Sequence, residues 1–158
     1  MSLQAIQSAI WGDGRGIIVR YLVVAMVANL SWEAAQLPLY TIWQTARVGE
    51  LAFAVAHCTA GDLMILASAV LAALLLVGGQ QFPHRGYARV ILVATVLGVA
   101  YTLFSEWMNV EIRRSWAYSA AMPTLPPLGT GLAPFLQWVL IPPIASALAN
   151  RWTRAETS

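Results

Sequence analysis

Residues 24–40 read VAMVANLSWEAAQLPLY, an apolar segment that carries a carboxylic acid, Glu33, in its middle. Asn29 lies four residues before Glu33 and Gln36 lies three residues after it, so a helix places all three polar side chains on one side. An acid at the centre of a membrane helix costs roughly 3 kcal/mol and usually marks a functional site with a partner group. We therefore expect the rest of the chain to supply groups that meet Glu33.

The composition is that of a membrane protein. Of the 158 residues, 59% are hydrophobic and only 10% are charged. A membrane span needs about 20 mostly apolar residues. Four such runs, at residues 17–37, 51–77, 87–110 and 134–150, take up most of the chain. The sequence predicts an all-α integral membrane protein, a small bundle of four transmembrane helices that forms a single domain over residues 1–158.

The segments outside the spans carry their own predictions. Apolar residues recur at helical spacing within residues 3–10 and predict a short interfacial helix. The chain begins without a basic segment, so we do not interpret it as a signal peptide. The connection 111–133 is rich in Trp, Tyr and Pro, which favours an ordered loop that covers one end of the bundle. Pro142 and Pro143 predict a kink or an unwound turn in the fourth span.

The distribution of arginines predicts the orientation. The termini and the middle loop carry Arg15, Arg20, Arg85, Arg89, Arg151 and Arg154, whereas the other two loops carry Arg47, Arg113 and Arg114. Because basic residues concentrate on the cytoplasmic side, both termini are expected in the cytoplasm. We expect a multi-pass protein of a bacterial-type inner (plasma) membrane.

The polar residues of the four spans converge at one depth. With a rise of 1.5 Å per residue and a core of ~30 Å, the outer half of the membrane contains Asn29, Glu33, His57, Asp62, Glu106 and Gln137. The inner half contains almost no polar side chain. We therefore predict a polar pocket that opens toward the outer leaflet beneath the loop 111–133.

The titratable residues of this pocket are the candidate catalytic residues. A buried Glu33 can donate a proton, His57 can relay it, and Asp62 or Glu106 can provide a counter-charge. Structural alternatives stay open for each residue. Glu33 can be a protonated acid that joins two helices, His57 a structural histidine, and Glu106 a helix-end acid that pairs with arginine.

The candidate substrate-binding residues surround these acids: they are Asn29, Trp32, Gln36, Asn109, Trp116, Tyr118 and Gln137. The ring faces of Trp116 and Tyr118 suit an apolar or cationic species, although both also fit the aromatic belt of a membrane protein. We expect Cys58 to be buried at the site and Gly61 to allow close approach of two helices.

Residues 29–33, Asn-Leu-Ser-Trp-Glu, resemble the Asn-x-x-Trp-Glu segment of the integral-membrane terpene cyclases of fungal meroterpenoid pathways. The presence of His57 and several acids on four membrane helices is also similar in style to the emopamil-binding sterol isomerases. The resemblance implies acid-driven chemistry, in which a lipid alkene or epoxide is protonated and the carbocation is sheltered by carboxylates and aromatic faces. Glu33 would be the acid. The cyclases have more spans than the four predicted here.

Other classes of function have less support. The single cysteine, Cys58, excludes an internal disulfide and a cysteine-rich zinc site. The oxygen and nitrogen side chains follow no diagnostic ligand spacing, so no metal site and no cofactor are predicted. A net charge of +2 gives no reason to expect nucleic acid as a partner.

Three functions remain. The preferred hypothesis is a membrane-embedded acid/base enzyme that acts on a lipophilic, isoprenoid-like substrate by proton-transfer isomerisation, cyclisation or hydration. The alternative is a non-enzymatic accessory subunit that binds a pigment, a quinone, a metal or a larger membrane complex. The third is a metal-dependent membrane hydrolase. The expected partners are the lipid bilayer and a lipophilic small molecule, and a homodimer or a larger complex stays open.

Overall fold

Four helices in the described part of the chain are long and apolar enough to cross a membrane. The structure, a computed structural model, describes residues 14–78 and 82–156, with side chains as far as residue 152. The candidate spans are Gly14–Leu39, Val48–Val77, Tyr87–Ile112 and Leu132–Trp152. The chain is therefore a multi-pass membrane protein, and the predicted four-helix fold is confirmed. The interfacial helix expected within residues 3–10 lies outside the described residues.

The elements follow one another in a simple order. The helices are α1 (Gly14–Gln36), α2 (Ile42–Thr45), α3 (Val48–Val77), α4 (Tyr87–Trp107) and α5 (Leu132–Glu156). A 3-10 turn, Leu37–Leu39, follows α1, and a π-helical turn, Met108–Ile112, continues α4. Two short strands, β1 (Thr124–Leu125) and β2 (Thr130–Gly131), form an antiparallel hairpin before α5.

Helix boundaries follow local chemistry. The helix α1 gives way to the 3-10 turn where Pro38 occurs, because proline disfavours helical geometry in the residue before it. The helix α3 begins after Arg47, whose backbone N–H donates a 2.7 Å hydrogen bond to the Glu50 carboxylate. This contact satisfies one backbone donor at the start of the helix.

The four long helices form a closed ring in which α1 packs on α5, α5 on α4, α4 on α3, and α3 on α1. The apolar core occupies the half of the bundle that contains the end of α3 and the start of α4. It is rich in alanine, which lets helix backbones approach closely. Its fully or almost fully buried members include Tyr21, Ala25, Leu66, Ala73, Val90, Ala94, Ala145 and Ala149.

Gly98, and not Gly61 as expected from the sequence, is the glycine that packs closely against a neighbouring helix. A Cβ atom added to Gly98 of α4 would overlap the indole ring of Trp138 on α5, which is 3% exposed. A Cβ atom added to Gly61 would meet nothing within 4 Å. The expectation for Gly61 is therefore wrong, because this part of α3 faces open space.

The helix α5 continues without interruption through Pro142 and Pro143. No turn is unwound there, so that part of the prediction is wrong. Pro142 is fully buried and Pro143 is exposed. Packing of α5 between α1 and α4 holds the helical path, and this packing compensates for the hydrogen bonds that the two prolines cannot make.

The connection between α4 and α5 is ordered and is attached to the end of α1. Tyr118 pairs with Tyr40 in an antiparallel bridge, and the two rings lie 5.5 Å apart. The Ser119 N–H donates to the Leu39 carbonyl at 2.9 Å, and the Thr41 N–H donates to the Ala117 carbonyl at 3.0 Å. The predicted ordered loop is therefore present.

Candidate functional site

A cavity of about 1360 Å³ extends along α3, from the end of the bundle nearest α2 and the α4–α5 connection as far as Ala72. The cavity forms because the first part of α3 is not buried in the core. Between Val48 and Ile65 only Thr59 is buried, whereas Leu66 begins the part of α3 that packs in the core. One face of α3 therefore forms a wall of the cavity, opposite α1, α4 and the start of α5.

The side chain of Gln137 joins three helices at the base of the cavity. Its Nε2 atom lies 2.9 Å from Oδ1 of Asn29, 3.0 Å from Oε1 of Glu33 and 2.8 Å from Oδ2 of Asp62. Gln137 comes from α5, Asn29 and Glu33 from α1, and Asp62 from α3. Gln137 is 2% exposed, so these contacts are shielded from the surroundings. The amide holds the carboxyl groups of Glu33 and Asp62 next to each other.

A second glutamine orients Glu33 from its own helix. Nε2 of Gln36 lies 2.8 Å from Oε1 of Glu33 and 3.2 Å from Oε1 of Gln137. The indole N–H of Trp32 donates to Oε1 of Gln36 at 3.2 Å. The polar side of α1 predicted from residues 24–40 is thus a hydrogen-bonded network.

Glu33 and Asp62 form a carboxyl pair. Oε1 of Glu33 and Oδ2 of Asp62 lie 3.0 Å and 2.8 Å from the same Nε2 atom of Gln137, which places the two carboxyl groups side by side. Two carboxyl groups this close repel each other when both are charged, so such pairs share one proton. Among the described residues that line the cavity there is neither arginine nor lysine. The pair is therefore suited to hold a transferable proton.

Glu106 on α4 is another acid of the cavity, and its environment differs from that of the Glu33–Asp62 pair. The phenol O–H of Tyr118 donates a hydrogen bond to Oε2 of Glu106. The same phenol oxygen accepts a 2.9 Å hydrogen bond from the backbone N–H of Gly131. Burial, together with the nearby Glu106 carboxylate, raises the pKa of Tyr118 well above its usual range. Tyr118 therefore stays protonated and acts as a donor.

Most of the predicted catalytic and binding residues meet at this cavity. Its lining includes Glu33, Gln36, His57, Asp62, Glu106, Trp116 and Gln137. The other four predicted residues do not line the cavity: Asn29, Trp32, Asn109 and Tyr118. Asn29 and Trp32 act through the two glutamines, and Tyr118 acts through Glu106. Asn109 donates to the Ser105 carbonyl at 2.8 Å and does not line the cavity.

His57 and Cys58 occupy the exposed part of α3. The imidazole of His57 stacks on Phe53 at 5.6 Å, and it makes no hydrogen bond to an acid in the described part of the chain. Cys58 is exposed, although the sequence led us to expect it to be buried. The reason is the same for both residues: their side chains lie on the face of α3 that lines the cavity.

Sequence analysis missed the apolar and aromatic walls of the cavity. They include Tyr40, Phe53, Leu97, Tyr101 and Trp138. A signal for them exists on α3, where Phe53, His57, Gly61 and Ser68 recur at helical spacing and all line the cavity. The same spacing also describes a lipid-facing or core-facing stripe, so the pattern does not identify a cavity without the tertiary structure.

The described residues contain no group of three histidine, cysteine or acidic side chains placed to hold a metal ion. We also compared the whole chain with protein-family models, with characterised proteins and with solved structures. No family model, no curated protein and no solved structure matches it.

Proposed function

We propose that this protein is a membrane-embedded acid/base enzyme that acts on a lipophilic, isoprenoid-like substrate by proton-transfer isomerisation, cyclisation or hydration. One observation carries the proposal. Carboxyl groups from three spans, Glu33, Asp62 and Glu106, face a single cavity within an apolar helix bundle. Acids are costly at such depth, so a functional role is the default expectation.

The cavity has the chemical character that this reaction needs. Protonation of an alkene or epoxide creates positive charge, which carboxylates and aromatic ring faces stabilise. The rings of Trp116, Trp138 and Tyr101 lie along the lining together with the acids. Apolar surroundings also keep water from intercepting the cation.

The size of the cavity supports a lipid-like substrate. Its volume of about 1360 Å³ exceeds the roughly 300–1,000 Å³ of ordinary small-molecule pockets. The lining continues from Glu50, at the start of α3, to Ala72, near the end of that helix. A long hydrocarbon chain can therefore lie along α3 while its reactive carbon meets the acids.

We also propose that the protein belongs to an inner (plasma) membrane, with both termini in the cytoplasm and the cavity toward the outer leaflet. The unequal distribution of arginine supports this orientation, because six of the nine arginines flank the opposite end of the bundle.

Deuterium incorporation tests the proposed chemistry. The purified protein in lipid nanodiscs is incubated in deuterated water with a panel of isoprenoid alkenes and epoxides, and the products are analysed by mass spectrometry. A proton-transfer enzyme places solvent deuterium on carbon in at least one probe. Glu33→Gln should reduce this incorporation at least about 100-fold, a typical contribution of a general acid. Glu111→Gln is the matched control, because Glu111 is exposed outside the cavity.

Native mass spectrometry of the protein, extracted gently from its own membrane, distinguishes the accessory-subunit alternative. A bound isoprenoid mass on the bare polypeptide supports the enzyme. A stoichiometric pigment, metal or partner subunit, with no deuterium incorporation in any probe, contradicts it and supports the accessory role.

A further inference from the structure

We infer that the cavity has two chemically distinct sides: the Glu33–Asp62 pair holds the proton that is delivered, and Glu106, oriented by Tyr118, is the base that removes one. The inference rests on the proposed function, because it assigns the donor and the acceptor of that reaction. Tyr118 is then a positioning residue, since it touches Glu106 and does not line the cavity.

The donor side follows from the contacts of Gln137. Its Nε2 atom lies 2.8 Å from Asp62 and 3.0 Å from Glu33, which keeps the two carboxyl groups together. Two carboxyl groups that share one amide nitrogen, with neither arginine nor lysine among the described residues lining the cavity, repel each other unless one of them is protonated. The pair therefore carries one proton and one negative charge.

The acceptor side follows from the donors around Glu106. A phenol has a single O–H, and Tyr118 directs it at Oε2 of Glu106. The Gly131 N–H, at 2.9 Å, occupies the phenol oxygen and holds Tyr118 in this direction. The indole N–H of Trp116 lies near Glu106 as well, but it makes no hydrogen bond to it. Because the neighbouring groups are donors, Glu106 is arranged as a carboxylate that accepts.

A side chain at position 131 would crowd this arrangement. A Cβ atom added there would lie 3.1 Å from Cζ of Tyr118, 3.1 Å from Sδ of Met122 and 3.1 Å from Cδ of Pro134. The contact between the hairpin and the phenol is thus close on several sides.

The titratable side chains near Glu106 come from the other elements of the site: Glu33 on α1, Cys58 on α3, Tyr40 after α1, and Tyr118 in the connection.

The resulting reaction is balanced. The pair transfers its proton to one carbon of the alkene. The π electrons of the double bond form the new C–H bond, and the other carbon becomes a carbocation. The Glu106 carboxylate then takes a proton from a neighbouring carbon, and the electrons of that C–H bond form the new double bond. One proton has moved from the pair to Glu106, and its return through solvent restores the enzyme. The product is a positional isomer of the substrate.

Infrared difference spectroscopy tests the assignment without any substrate. In nanodiscs near neutral pH, the wild type should show a protonated-carboxyl C=O band that shifts in deuterated water. The band should persist in Glu106→Gln and disappear in the double variant Glu33→Gln, Asp62→Asn. In Tyr118→Phe, which removes the donor to Glu106, a second band of similar intensity should appear. Tyr87→Phe is the matched control, because Tyr87 lies at the other end of the bundle and its O–H contacts the Ser146 carbonyl.

Two results would overturn the inference. The first is loss of the band in Glu106→Gln, which would place the proton on the supposed base. The second is an unchanged spectrum in Tyr118→Phe, which would give Tyr118 a structural role only. Both single variants are informative even when the double variant does not fold. Failure of the proposed function would be seen separately, as absence of deuterium in every isoprenoid probe.

Discussion

The side-chain nitrogen of Gln137 lies 2.8 Å from Oδ2 of Asp62, and this contact joins α5 to α3 at the base of the cavity. The two residues are 75 positions apart in the sequence. The same nitrogen also lies 2.9 Å from Oδ1 of Asn29 on α1. One buried amide therefore connects both polar helix faces, and its removal should affect stability and the site together.

Gln137→Leu should destabilise the fold. The substitution keeps a similar volume but leaves Asn29 and Asp62 without their shared donor, which costs about 1–3 kcal/mol for each buried polar group. Thermal unfolding in detergent micelles measures the effect. Gln44→Leu is the control, because Gln44 is exposed on α2. Equal melting temperatures for the two variants would contradict the central role of Gln137.

Gly98→Ala should be destabilising, by about 1–3 kcal/mol, because the new methyl group overlaps the Trp138 ring and forces repacking of the core. Gly61→Ala should be neutral or slightly stabilising, since its methyl group meets open space and alanine favours helix. Denaturant unfolding of the two variants tests the contrast. A larger loss for Gly61→Ala would show that α3 packs more tightly than described.

Cys58 should react with N-ethylmaleimide in the folded protein, because it is exposed on the cavity-lining face of α3. A long-chain isoprenoid alcohol that fills the cavity should slow this labelling several-fold. Intact-mass spectrometry gives the extent of labelling, and Cys58→Ala gives the background. Labelling that appears only after denaturation would restore the expectation of a buried cysteine.

The orientation is tested by cysteine labelling at two ends of the bundle, in a Cys58→Ala background. Thr124→Cys is at an exposed position of β1 and should react with an impermeant reagent added to intact cells. Ala88→Cys lies at the start of α4 and should react only after lysis. The opposite pattern would invert the proposed topology.

Tyr118 should ionise only at strongly alkaline pH. Burial and the Glu106 carboxylate raise the pKa of this phenol above the ordinary value of about 10. The folded state then holds the proton more tightly than the unfolded state, so the stabilisation is complete below pH ~10 and is lost as the pH rises through the folded pKa. Ultraviolet difference spectra of tyrosinate measure the titration. Tyr118→Phe should remove one late-titrating group and leave Tyr40, whose pKa burial also raises.

A Tyr118 that titrates near pH ~10 would contradict this prediction. The denatured protein is the control, because all of its tyrosines are exposed to water and should ionise near the ordinary value.

The sequence was sufficient to predict the four membrane spans and the polar side of α1. Long apolar runs and the spacing of Asn29, Glu33 and Gln36 depend on local periodicity, which the chain carries within a few turns. The convergence of Asp62, Glu106 and Gln137 on one half of the bundle also followed from counting residues along each helix. These inferences need no knowledge of which helix lies next to which.

Tertiary structure decided the rest, because helix rotation and helix pairing depend on contacts between distant residues. Four features depend on these contacts: the placement of Gln137 between Glu33 and Asp62, the open face at Gly61, the close packing at Gly98, and the exposure of Cys58. The helical spacing of residues in a sequence indicates which residues share one face of a helix. Whether that face meets another helix, a cavity or lipid is determined only when the four helices pack together.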